Sequence, residues 1–518
     1  MRTAVKWLAF AAVPAFASAC FSSSAGPSTA DSATEPDDGG TSDAPAQPGP
    51  EGSTPDAAPS DASPDAPSDA GGVADVSADT YVAEAAAADA APDMQAPPVP
   101  VVTVVVASAL GPEQGVPVVF DDGYGQVLAT GTTDALGRAS AAVPAGSQVT
   151  ALMGPVTAPQ ISTIQGVAPP DVLSFYDTSN DTSGNWPDVH VAFAADAGPP
   201  PGTSDVRASI GDCNVSIPGD VTLSPECISA SGAFPVLAIA QAGADGGYAD
   251  LAYTFSKGNT LAPQDGVTNI TLPGPWYTDM GYQTVGEINP PSSSSGYSDL
   301  SLIAIASNVP TRASNSQDSV YYNQTPTAQF PIYPEYYDAL QAEGNVSVYE
   351  DFGLSVAGIA TRGLGDAGTT TFDLSQGLPL IDSVAVDTTI PSRPILTWGA
   401  SAGSLASADG IVAQITWQDG DTSGSWTILA PGTATSITAP AVSGLAAQWV
   451  PSATASVATP ILFIVDADFI TSYAELRTQA SVFQITPNLY QGATGQNDAP
   501  MLPVDGTLRY TAVTVNGD

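Results

Sequence analysis

The chain has 518 residues and a formal charge of −43, with 53 acidic residues against ten basic ones and a single histidine. That length allows several domains, and that charge sets nucleic acid and anionic membrane surfaces aside as partners, because nothing is available to neutralise phosphates. The lone His190 removes HExxH zinc sites and multi-histidine metal centres, whereas the surplus of carboxylates favours divalent cations.

The chain opens with Arg2 and Lys6, then an apolar run from Trp7 to Phe16 of about ten residues, too short to span a bilayer. Ala17-Ser18-Ala19-Cys20 follows. Small residues before a cysteine resemble the lipobox of bacterial lipoprotein signal peptides. The resemblance implies a signal peptide over 1–19, a lipidated Cys20 as the mature N-terminus and a membrane anchor. Phe21 in place of aspartate after the cysteine implies an outer-membrane, cell-envelope location. Ala17 stands where that family carries leucine, and Ala-x-Ala also suits ordinary signal peptidase, which leaves Cys20 a free thiol. No other apolar run reaches the length of about 18 residues needed to cross a membrane.

Residues 20–98 read as a spacer. From 21 to 98 the chain holds fifteen acidic residues and no basic ones, in a background of Ala, Pro, Ser, Gly and Thr. One sign of charge and few large apolar groups predict disorder, with an end-to-end distance of about 50 Å.

From Val99 the pattern changes to short alternating strands punctuated by turns, which predicts an all-β fold of tandem β-sandwich modules. The first module is placed at 99–198. Gly115-Val116-Pro117-Val118-Val119-Phe120, Thr133-Asp134-Ala135-Leu136-Gly137-Arg138-Ala139 and Val143-Pro144-Ala145-Gly146-Ser147 resemble the carboxypeptidase-regulatory-like, prealbumin-type modules of bacterial surface proteins. The resemblance implies a sandwich and says little of activity. In Val189-His190-Val191-Ala192-Phe193, His190 falls on the face opposite the valines, in solvent.

The second module, 199–279, contains Cys213 and Cys227. With Cys20 lipidated, this pair predicts a disulfide in an oxidising compartment. Val215, Ile217, Val221 and Leu223 alternate around Pro218-Gly219-Asp220, so the segment reads as a hairpin with stapled ends. Two cysteines without a nearby histidine do not make a metal site.

In the third module, 280–390, Tyr321, Tyr322, Phe330, Tyr333, Tyr336 and Tyr337 crowd together, with Trp276 and Tyr277 upstream. Such rings either fill a core or stack on sugars; Tyr333, Tyr336 and Tyr337, around Pro334, are the candidate ligand-binding residues. Pro334 to Glu343 reads as a short helix ended by Gly344. A glycosidase would need two facing carboxylates, for which Glu335 and the Glu350-Asp351 pair are the nearest candidates.

The fourth module, 391–518, sets Trp398, Trp417 and Trp426 in apolar strands and resembles a fibronectin-type sandwich, whose strand tryptophans occupy the core. Asp421-Thr422-Ser423-Gly424-Ser425-Trp426 echoes Asp181-Thr182-Ser183-Gly184-Asn185-Trp186, a shared turn entering a strand. Gly399-Ala400-Ser401-Ala402-Gly403 fits G-x-S-x-G, but no histidine follows Ser401, so it reads as a small-residue loop. Ser472 and Glu475 form a capping box before a helix at Tyr473 to Ala480. No cofactor motif is present. Ca²⁺ is the one ion that Asp121-Asp122, Asp419-Gly420-Asp421 and Asp466-Ala467-Asp468 suit, though none of them forms an EF-hand loop.

These features together describe a non-enzymatic envelope lipoprotein of structural or binding role. Envelope polysaccharide or surface proteins are its candidate partners, a carbohydrate-binding protein is the alternative, and a glycan-active enzyme comes third.

Overall fold

The computed structural model describes residues 99–108, 111–177, 188–211, 213–223, 227–228, 233–244, 247–261, 267–289, 297–307, 309–311, 320–321, 327–350, 353–365, 368–400, 403–442, 448–479 and 501–515. The leader, Cys20 and the acidic spacer lie outside the described residues, as does the stretch from Asp181 to Trp186. The described residues belong to one compact unit, Asp93–Asp518. It is all-β, as the alternation predicts.

The first segment contributes β1 (Val102–Ser108), β2 (Gly111–Pro112), β3 (Pro117–Asp121), β4 (Val127–Thr132), β5 (Arg138–Ala141), β6 (Ser147–Met153), β7 (Gln160–Val167) and β8 (Val172–Tyr176). In β1, Val102, Val104 and Val106 are buried while Thr103 and Val105 are only half-buried, the period of two expected of a strand with one face on a core. β1 pairs with β2, β5 and β8; β4, β3, β6 and β7 lie in a second sheet. Val102, Val104 and Val106 meet Val118, Phe120, Val149 and Phe175 in one apolar cluster. The turn before β5 is built locally: Asp134 Oδ1 accepts the Leu136 and Arg138 amides at 2.8 and 2.9 Å. Gly137 sits at φ 71°, where a Cβ would collide with the Val106 carbonyl.

The second segment forms β9 (Asp188–Phe193), β10 (Asp205–Ile210), β11 (Cys213–Val215), β12 (Gly219–Thr222), β13 (Ala233–Ala244), β14 (Gly247–Thr260) and β15 (Thr268–Leu272). The sheet β11-β10-β13-β14 faces the sheet β12-β9-β15 across Val189, Val191, Ile210, Phe234, Val236 and Leu272. Two expectations change here. β9 pairs with β12 and β15, so the strand that the sequence assigns to 99–198 belongs with the second segment. And β11 pairs with β10 while β12 pairs with β9, so the span between the cysteines crosses from one sheet to the other and is not a hairpin.

The third segment forms β16 (Gly281–Ile288), β17 (Tyr297–Ala306), β18 (Val309–Thr311), β19 (Val320–Tyr321), β20 (Thr327–Ile332), β21 (Ala339–Glu350), β22 (Gly353–Arg362) and β23 (Gly368–Asp373). The sheet β20-β16-β23 packs on β17, β21 and β22 through Val285, Phe330, Leu300, Leu302, Leu340 and Val346. The short helix expected at Pro334 to Glu343 is instead a turn running into β21, because that stretch is recruited into the ladder with β17 and β22.

The last segment adds β24 (Ile381–Asp387), β25 (Ile395–Ala400), β26 (Gly410–Asp419), β27 (Thr422–Pro431), β28 (Ser436–Thr438), β29 (Ser456–Ala467), α1 (Tyr473–Thr478) and β30 (Gly506–Val515). Ser472 caps α1, its side chain accepting the Glu475 amide, and Glu475 Oε2 accepts the Thr471 amide at 2.9 Å. A 13-stranded sheet runs β18-β17-β21-β22-β30-β29-β26-β27-β7-β6-β3-β4, with β19 beside β17. Its centre is buried on both faces. Val412, Leu429 and Phe463 point to the cluster shared with β1, while Ile411, Ile428 and Leu462 point to a second cluster under β24, β25 and β28. Trp417 and Trp426 lie in that second core. The segments read from proline-rich stretches are therefore fused. β7 pairs in parallel with β27, and β22 pairs with β30 along its length, from Gly353 opposite Val515 to Arg362 opposite Gly506.

Candidate functional site

The tyrosines around Pro334 sit on a tight turn in which the Tyr336 amide donates to the Tyr333 carbonyl at 2.8 Å. Their rings point inward: Tyr333 is 1 % exposed, Tyr336 0 % and Tyr337 8 %. Tyr333 lies 5.1 Å from the ring of Tyr253 and donates its hydroxyl to Asp250 at 2.8 Å; Tyr336 lies 5.9 Å from Phe255. Burial, and the Asp250 carboxylate beside it, push the Tyr333 hydroxyl well above its usual pKa. The stacking surface expected at Tyr333, Tyr336 and Tyr337 is thus a core. Strand β14 supplies Tyr253 and Phe255 from a distant part of the sequence to cover it, and no ring face is left for a sugar. Trp276 donates to the Ala197 carbonyl at 3.0 Å and Tyr277 stacks on Tyr253 at 5.3 Å. The Tyr321 side chain and all of Tyr322 lie outside the described residues.

The acids that converge are not those nominated from the sequence. Glu335 is exposed, and the Glu350 side chain and Asp351 lie outside the described residues. Instead Glu287 on β16, Asp299 on β17 and Glu343 on β21 are 1 %, 8 % and 1 % exposed. Glu343 accepts from the Tyr510 hydroxyl, from Asn345 Nδ2 at 3.3 Å and from Ser301 Oγ at 3.4 Å. Burial pushes the Glu287 carboxyl up to about 8, reinforced by Asp299 and Glu343 and opposed by Ser298 and the Asn345 backbone. Sequence spacing had no means of finding this trio, because β17 and β21 pair with each other while β16 reaches them from a second sheet packed on theirs.

The Asp-rich turns hold themselves. Asp122 Oδ1 accepts the Tyr124 and Gln126 amides at 2.9 and 2.8 Å, Asp419 accepts the Ser452 amide at 3.1 Å, and Asp468 accepts the Thr507 amide at 2.8 Å. Asp466 lies 4.0 Å from Arg509. Asp121 is fully buried, neither of its oxygens accepts a hydrogen bond, and burial with Asp122 alongside pushes it up to about 6. Among the described residues, no group of three His, Cys, Asp or Glu is arranged to hold a metal. His190 sits on the outer face of β9, its Nδ1 2.7 Å from Asp220 on β12. Ser401 lies outside the described residues. Cys213 and Cys227 form the expected disulfide, with Cα atoms 5.6 Å apart.

One cleft has a different character. It opens where β3–β4 and β5–β6 turns from the first segment meet Arg393 and β28 from the last, with a volume of about 320 Å³. Gln148, Gln165, Arg393, Ser436 and Thr438 line it, beside Gly123, Gly146 and Gly166. Gln165 Nε2 donates to the Thr438 carbonyl at 3.0 Å and to Gln148 Oε1 at 3.4 Å; Gln148 Nε2 donates to the Asp122 carbonyl at 3.2 Å. Arg393 donates to the Ala439 carbonyl at 3.3 Å and to the Tyr124 carbonyl at 3.2 Å. Behind the wall, α1 fixes the backbone: Tyr473 donates to the Gln165 carbonyl at 2.7 Å, and Arg477, paired with Asp171 at 2.7 Å, donates to the Gly166 carbonyl at 2.9 Å. No sequence motif marks this cleft, since its walls come from residues more than two hundred positions apart.

No family model and no curated protein matches the chain. Among solved structures, similarities include the TIE protein of Bacillus anthracis, at 9 % identity and a TM-score of 0.14, covering 53 % of this chain and 50 % of that one. Others are the FN1–FN3 domains of chicken CNTN1 (7 %, 0.11, 67 % and 84 %) and the major pilin T-13 of Streptococcus pyogenes (7 %, 0.07, 64 % and 96 %). The chain spans about half the length of the B. anthracis structure that it matches. Strand pairing, not these similarities, defines the class: an all-β protein of sandwiches fused through one shared sheet.

Proposed function

We propose that this chain is a cell-envelope lipoprotein with a non-enzymatic structural or binding role, holding its β-sandwich unit away from an outer membrane on the acidic spacer. The observation that carries the reading is a succession along the chain. A lipobox-like Ala17-Ser18-Ala19-Cys20 precedes a stretch rich in Pro, Ala and Asp, and then a single compact unit whose described residues, from Val99 on, are all-β. The structural half of the role is supported by the use of the buried polar groups: Tyr333 donates to Asp250, Tyr510 donates to Glu343, and Arg477 of α1 pairs with Asp171. The charge of −43 suits display in water and repels nucleic acid.

Cys20→Ala tests the anchor. Wild-type protein is expected in the membrane fraction, taking up labelled fatty acid, with the variant released to the soluble fraction. Equal fractionation of the two, without label in either, overturns the anchor. A carbohydrate-binding role is the second reading, and the polar cleft favours it.

A further inference from the structure

The cleft between the first and last segments has the chemistry of a site for an uncharged polyhydroxylated ligand. Its wall is made of two amides, two hydroxyls and one guanidinium, with Pro431 as its apolar contribution. These are side chains that donate and accept side by side, as vicinal hydroxyls require. The amides and the guanidinium are held in place by the bonds already described, so little side-chain freedom is lost when a ligand arrives. Gly146, at φ 87°, has nothing within 4 Å of where a Cβ would stand, which leaves backbone open to a ligand on that side. The volume of about 320 Å³ lies at the small end of ligand sites, enough for roughly one sugar ring.

The rim supplies what a purely polar cleft lacks. Tyr124 directly follows the lining residue Gly123, its carbonyl is bound by Arg393, and it is 88 % exposed. A large aromatic ring left in water one residue from the cleft wall is the kind of group that stacks on the C–H face of a pyranose. Anionic ligands are disfavoured, because Asp121 and Asp122 adjoin the cleft and the whole chain is strongly negative. Apolar ligands would strip water from the remaining polar atoms of the amides, hydroxyls and guanidinium without replacing it.

We propose that this cleft binds a neutral saccharide, with Tyr124 stacking on a sugar ring and Arg393, Gln148, Gln165, Ser436 and Thr438 bonding its hydroxyls. The site relocates recognition from the buried tyrosines to a place that exists only because β7 pairs with β27. It is independent of how the chain is anchored, and its test is arranged accordingly.

The full chain carrying Cys20→Ala is titrated calorimetrically with maltohexaose, cellohexaose, xylohexaose and chitohexaose, and with a sulfated hexasaccharide as the charged control. At least one neutral probe is expected to bind. Tyr124→Ala is expected to weaken that binding about tenfold or more while leaving the melting temperature unchanged, since the ring is exposed. Arg393→Lys, which keeps the charge and loses the planar fork, is expected to weaken it severalfold. The proposal is overturned if no neutral probe binds at about 10 mM, where a Kd of about 1 mM would nearly saturate the site. It is equally overturned if only the sulfated probe binds, or if both variants bind as the parent does. Fractionation of Cys20→Ala reports on the anchor alone, so the two readings fail separately.

Discussion

Glu287 is a carboxyl kept almost wholly from water with two further acids, Asp299 and Glu343, on neighbouring strands. Its pKa is pushed up from 4.5 to about 8, so the folded protein holds a proton there that the unfolded chain releases near pH 4.5. Between those two values the unfolded state binds fewer protons than the folded one, and stability falls as pH rises; above about 8 the penalty is constant. Glu287→Gln keeps the shape and removes the titration. Its unfolding free energy is expected to exceed that of wild type increasingly from pH 5 to pH 8, by roughly 4 kcal/mol at most, with a melting temperature that rises accordingly. Parallel melting curves for the two proteins across that range would show that the carboxyl carries no such penalty. Tyr333 shows the same dependence on surroundings in another form. Its ring chemistry suits either a core or a sugar, and the hydroxyl bond to Asp250 and the ring of Tyr253 decide for the core. Asp134 is different, because its carboxylate reaches amides two and four residues on, and the turn follows from the local sequence alone.

At the scale of elements, α1 and the turn into β21 make an instructive pair. Both carry helix signals, but α1 keeps its helix because Ser472 and Glu475 close its first turn locally. The stretch after Pro334 yields its helix to two long neighbours, β17 and β22, whose ladders complete the backbone hydrogen bonds of β21. The disulfide follows the same logic. Cys213 and Cys227 were legible as a pair, but the path between them was not, because β11 turns back on β10 while β12 pairs with β9 in the other sheet. Closing a loop of this length contributes about 3 kcal/mol in the chain-entropy model. Replacing both cysteines with serine is therefore expected to lower urea stability by about that amount. It should also speed amide exchange selectively in β11 and β12. An unchanged denaturation midpoint would mean the sandwich is held there by packing alone.

Across the whole molecule, the shared sheet makes the ends of the chain interdependent. β22 has β30 as its partner, β7 has β27, and the indole of Trp426 donates to Thr163 at 2.9 Å across that second seam. A chain ending at 390 loses both partners and exposes two long apolar strand edges. Residues 99–390 are expected to lose cooperative melting and to aggregate, whereas 99–518 is expected to unfold in a single transition. Two independent transitions in 99–518, or a well-folded 99–390, would show that the segments are autonomous after all.

Some of this was written in local residues. The Asp134-Gly137 turn, the Ser472 cap and the all-β class were readable because each is decided by groups within a few positions of one another. The fused sheet, the displaced boundary before β9, the burial of Tyr333, Tyr336 and Tyr337, the acid trio and the polar cleft belong to tertiary structure. A strand's backbone offers the same ladder to any partner, and its side chains show only that a face is apolar. Which strand arrives, from how far along the chain, determines whether that face meets water, a second core or the wall of a cleft.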